Sequence, residues 1–204
     1  MRTVITEEVV YSWEDVKNDA ELLEKVLDEH RDINTEHQGW WDMVYEDWTE
    51  KLEDLGYRNI DICFSGFNSQ GDGASFTGNV DVLAWIKTND ETNKYKRIAK
   101  LMYECIIDIQ DDMIVRDRWH HYVHENTTTF HFSTYYEGGA CQDYDNIDMI
   151  LNDLESDIYL HHKNLNREIY SSLKETHDYL TSDQSVSDTL EVNDYEFNIN
   201  GEII

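Results

Sequence analysis

The chain has 204 residues, 40% of them hydrophobic, with 6 Trp, 13 Tyr, 6 Phe and no proline. That aromatic content is more than a disordered chain carries, and no apolar window approaches the roughly 18 residues that a membrane-spanning helix needs. The net charge of −28 argues against direct binding to nucleic-acid phosphates, which relies on Lys and Arg, and favours a partner with a basic surface.

The charge is unevenly spread. Residues 1–56 hold 17 Asp/Glu against 5 Lys/Arg, residues 57–142 hold 12 against 8, and residues 143–204 hold 15 against 3. A single domain, 1–204, is therefore expected, with acidic helical flanks at 1–56 and 143–204 around a nearly balanced sheet–helix module at 57–142. The three cysteines, Cys63, Cys105 and Cys141, match no zinc or redox spacing and read as reduced, mostly buried thiols. With no signal-peptide pattern, the expected location is the cytoplasm of a host cell, with no membrane contact and no cofactor.

In chain order, Thr3-Val4-Ile5 and Val9-Val10-Tyr11 read as short strands. Ser12 is a candidate N-cap with Asp15 closing an imperfect capping box, followed by Val16, Ala20, Leu23 and Leu27 at helical spacing. A second helix is predicted from about Trp40 to Leu55, with an aromatic stripe and Gly56 as its C-terminal stop. Tyr57–Phe67 and Ala74–Ile86 read as the strands of a first hairpin. Asp90–Met113 reads as a helix through Tyr95, Ile98, Ala99, Met102, Ile106, Ile109 and Met113. Trp119–His124 and Thr128–Tyr136 read as a second hairpin. Asp145 to about Leu160 is helical, and Leu165, Ile169, Leu173 and Leu180 continue the pattern after an expected break near His161–Asn164. Asn200-Gly201 signals a C-terminal turn. The fold class that results is α+β: a central antiparallel sheet built from two hairpins around a helix, flanked by acidic amphipathic helices.

Four of the nine glycines, Gly66, Gly71, Gly73 and Gly78, fall within residues 60–78. Together with Ser65, Ser69, Gln70 and Asp72 they specify a shaped, polar loop. No Gly-Lys-Ser/Thr follows and no helix opens on it, so it is neither a P-loop nor a dinucleotide fingerprint. It is either a turn whose Asp72 and Ser69 cap backbone N–H groups or a nest for an anion. His120, His121 and His124 lie just before Glu125, with His131 on the facing strand. They read as surface or hydrogen-bonded histidines, with a ligand or catalytic role, or metal ligation by His120 and His124 alongside Asp72, as the alternatives. Their spacing matches no metal motif, so no metal site is assigned. The ligand-binding candidates are Ser65, Ser69, Gln70, Asp72, His121, His124 and Glu125. The candidates for contact with a partner are Asp42, Glu46, Asp47, Glu50, Asp153 and Asp157. His161-His162, at the expected break, reads as incidental, and Trp40, Trp41 and Trp48 read as core.

Several blocks, taken together, resemble a family of uncharacterised bacteriophage proteins, some of whose members carry the label antitoxin of a toxin–antitoxin stability system. The resemblance rests on Tyr11-Ser12-Trp13-Glu14-Asp15, Trp40-Trp41-Asp42-Met43-Val44-Tyr45-Glu46-Asp47-Trp48, Phe64-Ser65-Gly66-Phe67, Ser69-Gln70-Gly71-Asp72-Gly73-Ala74-Ser75-Phe76, His121-Tyr122-Val123-His124-Glu125, Thr181-Ser182-Asp183-Gln184 and Asn193-Asp194-Tyr195-Glu196-Phe197. It implies a phage accessory protein of the α+β class. On that basis the expected function is binding and inhibition of a host defence or nucleic-acid-binding protein, with the acidic surface imitating nucleic acid. The alternatives are a nucleotide-type ligand binder or enzyme at the Gly-rich loop and histidines, and an antitoxin-like interaction partner. A homodimer is left open.

Overall fold

The computed structural model describes residues 9–37, 39–117, 122–136 and 144–204. In chain order the elements are β1 (Tyr11–Ser12), α1 (Trp13–Asn18), α2 (Ala20–Glu29), α3 (Asp42–Asp54), β2 (Tyr57–Phe64), β3 (Ala74–Val80), α4 (Val82–Asn89), α5 (Lys96–Tyr103), β4 (Ile107–Arg116), β5 (Thr128–Tyr136), α6 (Tyr144–Leu180), α7 (Asp183–Val192) and β6 (Glu196–Phe197). The class is α+β. An antiparallel sheet of order β2-β3-β4-β5 is made from two hairpins, β2–β3 and β4–β5. The chain divides into two compact units, residues 42–173 and residues 1–41 with 174–204.

The larger unit contains the sheet. Gly56, at φ +97°, ends α3, and a Cβ there would lie 2.7 Å from the Trp85 backbone nitrogen, so the chain turns into β2 at a place where only glycine fits. Beside the sheet, α6 buries Ile147, Leu151, Leu154 and Ile158 at three- and four-residue steps, then Leu165 and Ile169 on the same face from seven residues further on. Each such side chain contributes roughly 1.5–3 kcal/mol on burial. The pairing of β3 with β4 is brief, Gly78 with Ile114 and Asn79 with Met113 only.

Four boundaries differ from the sequence expectation. The second strand stops at Val80, because Asp81 caps a new helix by accepting from Ala84 N (3.0 Å), and Val82, Trp85 and Ile86 bury one helical face. The helix expected at 90–113 is two elements. It ends at Tyr103; Cys105 takes φ +55°, and the β-branched run that follows forms β4; Cys105 is exposed and Cys63 half-buried, where buried thiols were expected. The strand expected at Trp119–His124 lies partly outside the described residues, and 122–127 is a turn closed by Thr127 N–H to His124 O (2.9 Å). The break expected near His161 is absent, and α6 runs unbroken for 37 residues.

The smaller unit packs Trp13, Val16, Leu22, Val26, Leu27, Val186, Leu190 and Phe197 into its own core. Ser12 caps α1 with Asp15 in a complete capping box. β1 pairs with β6, and Gly201, at φ +90°, sits in the turn that brings Ile203 back to Phe197. Asn34 donates to Leu180 O and Ser185 Oγ, both at 3.0 Å, and accepts from Thr189 Oγ1 at 2.7 Å, tying the α6–α7 corner to the segment after α2. The strand expected at Thr3-Val4-Ile5 lies outside the described residues.

Candidate functional site

The Gly-rich loop joins β2 to β3. Ser65 N–H donates to Gly73 O (3.1 Å) at its neck. Inside, one carboxylate oxygen of Asp72 accepts from Asn68 N (2.8 Å) and Ser69 N (2.6 Å). This is the capping role that Asp takes in tight turns, and it takes up the N–H donors that an anion-binding nest would offer. Glycine is required where the loop meets the 122–127 turn. A Cβ on Gly71 would lie 2.7 Å from the Tyr122 ring, and one on Gly73 would lie 2.5 Å from His124 Cβ. Ser65 Oγ donates to Val123 O (3.2 Å) across the same seam.

The structure thus brings Ser65, Asp72, His124 and Glu125 into one assembly, largely by using them up. His124 Nδ1 accepts from Asn126 N (3.1 Å), and Glu125 pairs with Arg167 of α6 (3.3 Å). Ser69 and Gln70 are exposed at the tip. His121 lies outside the described residues. Among the described residues no group of three His, Cys, Asp or Glu is arranged to hold a metal ion.

The polar centre that sequence reasoning missed is on α6. His162 and Asn166 are fully buried. His162 Nε2–H donates to Phe76 O (2.9 Å), and Asn166 Oδ1 accepts from Phe76 N (3.0 Å). Phe76 lies on β3 beyond the two-residue pairing with β4, so helix side chains replace the missing strand there. Burial lowers the His162 pKa to about 4 and also lowers that of His161. His161 Nδ1 accepts from Trp85 Nε1–H (3.0 Å) and from the Tyr57 hydroxyl (3.2 Å). Both imidazoles are held neutral. The available signal was periodicity: 158, 162, 165, 166 and 169 share one apolar face.

The acidic candidates fall into two groups. Asp42, Glu46, Asp47 and Glu50 are exposed along α3, and no cation pairs with them among the described residues. Asp153 and Asp157 instead hold Lys94, at 3.6 and 3.0 Å, and Asp157 also accepts from the Tyr95 hydroxyl. That hydrogen bond holds the Asp157 carboxyl below its ordinary range, while burial first and Asp157 second push the Tyr95 hydroxyl up to about 12. In the smaller unit 19 Asp/Glu face 5 Lys/Arg, a net −14 in 72 residues. Its four described cations are all engaged: Lys17 with Glu14 and Glu191, Lys25 with Glu21, Arg31 with Asp28 and Asp183, and Lys174 with Asp178.

No described helix is long and apolar enough to cross a membrane. No curated protein and no solved structure matches the chain. Residues 40–183 match a domain of unknown function, DUF8835, and the chain belongs to that family. The matched span contains the whole of the larger unit, while α1, α2 and nearly all of α7 lie outside it.

Proposed function

We propose that this DUF8835 protein acts by binding, presenting its acidic helices to a basic surface of another protein that ordinarily holds nucleic acid. The observation that supports the reading most directly is the state of the cations in the smaller unit. Each described one is already satisfied by a carboxylate, so the remaining acids offer an uncompensated negative field. The exposed acids of α3 recur at 42, 46 and 50, about one helical turn apart, a regular row of carboxylates that copies part of the dense, regular charge of a duplex. The resemblance to phage proteins makes a host defence protein the proposed target.

The test is a pull-down from host cells with the full chain, followed by salt elution and DNA competition. The expected partner is basic, is displaced by duplex DNA, and is released as salt rises from about 0.1 to about 0.5 M, because surface attraction is screened over that range. A partner whose binding ignores both salt and DNA overturns the charge-imitation reading.

A further inference from the structure

We propose that the hollow beside β4 is a second docking site, one that takes a short, extended, cationic segment of a partner by strand addition. The ladder between β3 and β4 has two residue pairs. Residues 107–112 of β4 therefore have a strand neighbour, β5, on one side only. The other side opens into a cavity of about 550 Å³, walled by Asn79, Asp81, Leu83, Met102 and Asp112. A second hollow of about 460 Å³ adjoins it, sharing Met102, Ile107 and Asp108. An exposed strand edge is a template for another strand, and an extended peptide gains affinity there from main-chain hydrogen bonds and selectivity from alternate side-chain pockets. Six residues of β4 span about 20 Å, room for a segment of about four to six residues.

The walls decide the chemistry of that segment. Asp81, Asp108 and Asp112 stand against a single cation, Arg58. Arg58 is already committed to the carbonyls of Tyr57 and Glu53 and lies 3.9 Å from Asp81. Asp112 accepts from Asn79 Nδ2 (2.9 Å). Asp108 is exposed, sits on the wall common to both hollows, and has no cation or donor among the described residues. Apolar side chains floor the same space, with Leu83 39% and the nearby Tyr135 56% exposed. The bulge between Ile109 and Asp111 puts Asp108 and Asp112 on opposite faces of β4, so Lys or Arg alternating with a β-branched residue sets its charge toward Asp108 and its aliphatic side chains on Leu83 and Met102. The site belongs to the larger unit and does not depend on the acidic surface of the smaller one.

The experiment uses the full chain, labelled for amide NMR, titrated with an acetylated and amidated Lys-Val-Lys-Val-Lys peptide. The expected result is saturable shifts centred on residues 107–112. They are lost with the same peptide N-methylated at alternate amides, and weakened about threefold to tenfold by Asp108→Asn. Glu24→Gln with Glu29→Gln, on the acidic surface, leaves them unchanged. Overturning results are no saturable shift at roughly millimolar peptide, equal binding of the N-methylated peptide, or binding that follows the α2 substitutions and ignores Asp108→Asn. The last outcome assigns the contact to the acidic surface and leaves that proposal standing.

Discussion

His162 and Asn166 hold both backbone polar groups of one residue, Phe76. Removing either leaves a buried peptide group unpaired, which costs about 1–3 kcal/mol. Asn166→Leu is expected to destabilise by that amount, read from the urea midpoint at constant slope; an unchanged midpoint shows that Phe76 finds another partner. Protonation tests the same residues differently. The His162 pKa is lowered from 6.5 to about 4 in the folded chain, and the unfolded chain therefore takes up its proton first as pH falls. Stability is fully present above pH 6.5 and is lost as pH falls toward 4, by roughly 3 kcal/mol from this group. Unfolding measured at pH 7, 6 and 5 should show the decline beginning above the range in which carboxylates titrate, and His162→Gln should flatten it.

At the scale of elements, the loop after β2 and the 122–127 turn behave as one clamp. Gly73→Ala sets a methyl group 2.5 Å from His124 Cβ and 2.9 Å from Val123 O, neither of which is the free end of a flexible side chain. The expected cost is about 1–3 kcal/mol, as for other overpacked contacts, with the largest NMR shifts in 122–127. If Gly73→Ala is neutral and those shifts are absent, the seam is looser than described. Asp72→Ala removes the acceptor of Asn68 N and Ser69 N and should cost about 1 kcal/mol, on the scale of a lost helix cap, since the exposed N–H groups can turn to water.

The whole molecule carries its charge at a cost. Ion pairs are present, but the pairs of the smaller unit are exposed, and such pairs are individually worth little. Self-repulsion from a net −28 acts over the whole surface. Raising salt from about 0.02 to about 0.5 M is therefore expected to raise Tm by several degrees. A fall in Tm would mean that the ion pairs outweigh the repulsion. Selection for stability alone does not account for this surplus of acid, which is the feature on which the proposed binding role rests.

Much of this architecture was written locally. The capping box at Ser12, the stop at Gly56, the turn at Asn200-Gly201 and the apolar stripe of 147–158 each depend on neighbours within a few residues, and each was legible from residue type and spacing. The acidic flanks needed only counting. Residues 82–116 were not legible, because Val82-Leu83-Ala84-Trp85-Ile86 and Ile106-Ile107-Asp108-Ile109 suit a strand or a buried helix equally well by pattern, and the choice fell to Asp81, Cys105 and the strands available for pairing. At the loop, the sequence marked Ser65, Asp72 and Gly73, but it did not say that Gly73 meets His124, a contact 51 positions away. Nor could it say that His162 and Asn166 reach Phe76, 86 and 90 positions distant. Those polar side chains are stable in the core only because β3 and β4 part after two pairs and leave backbone groups to satisfy. Local spacing determined the elements, and that gap between two strands, which exists only once the sheet has formed, decided where the polar centre and the open edge of β4 lie.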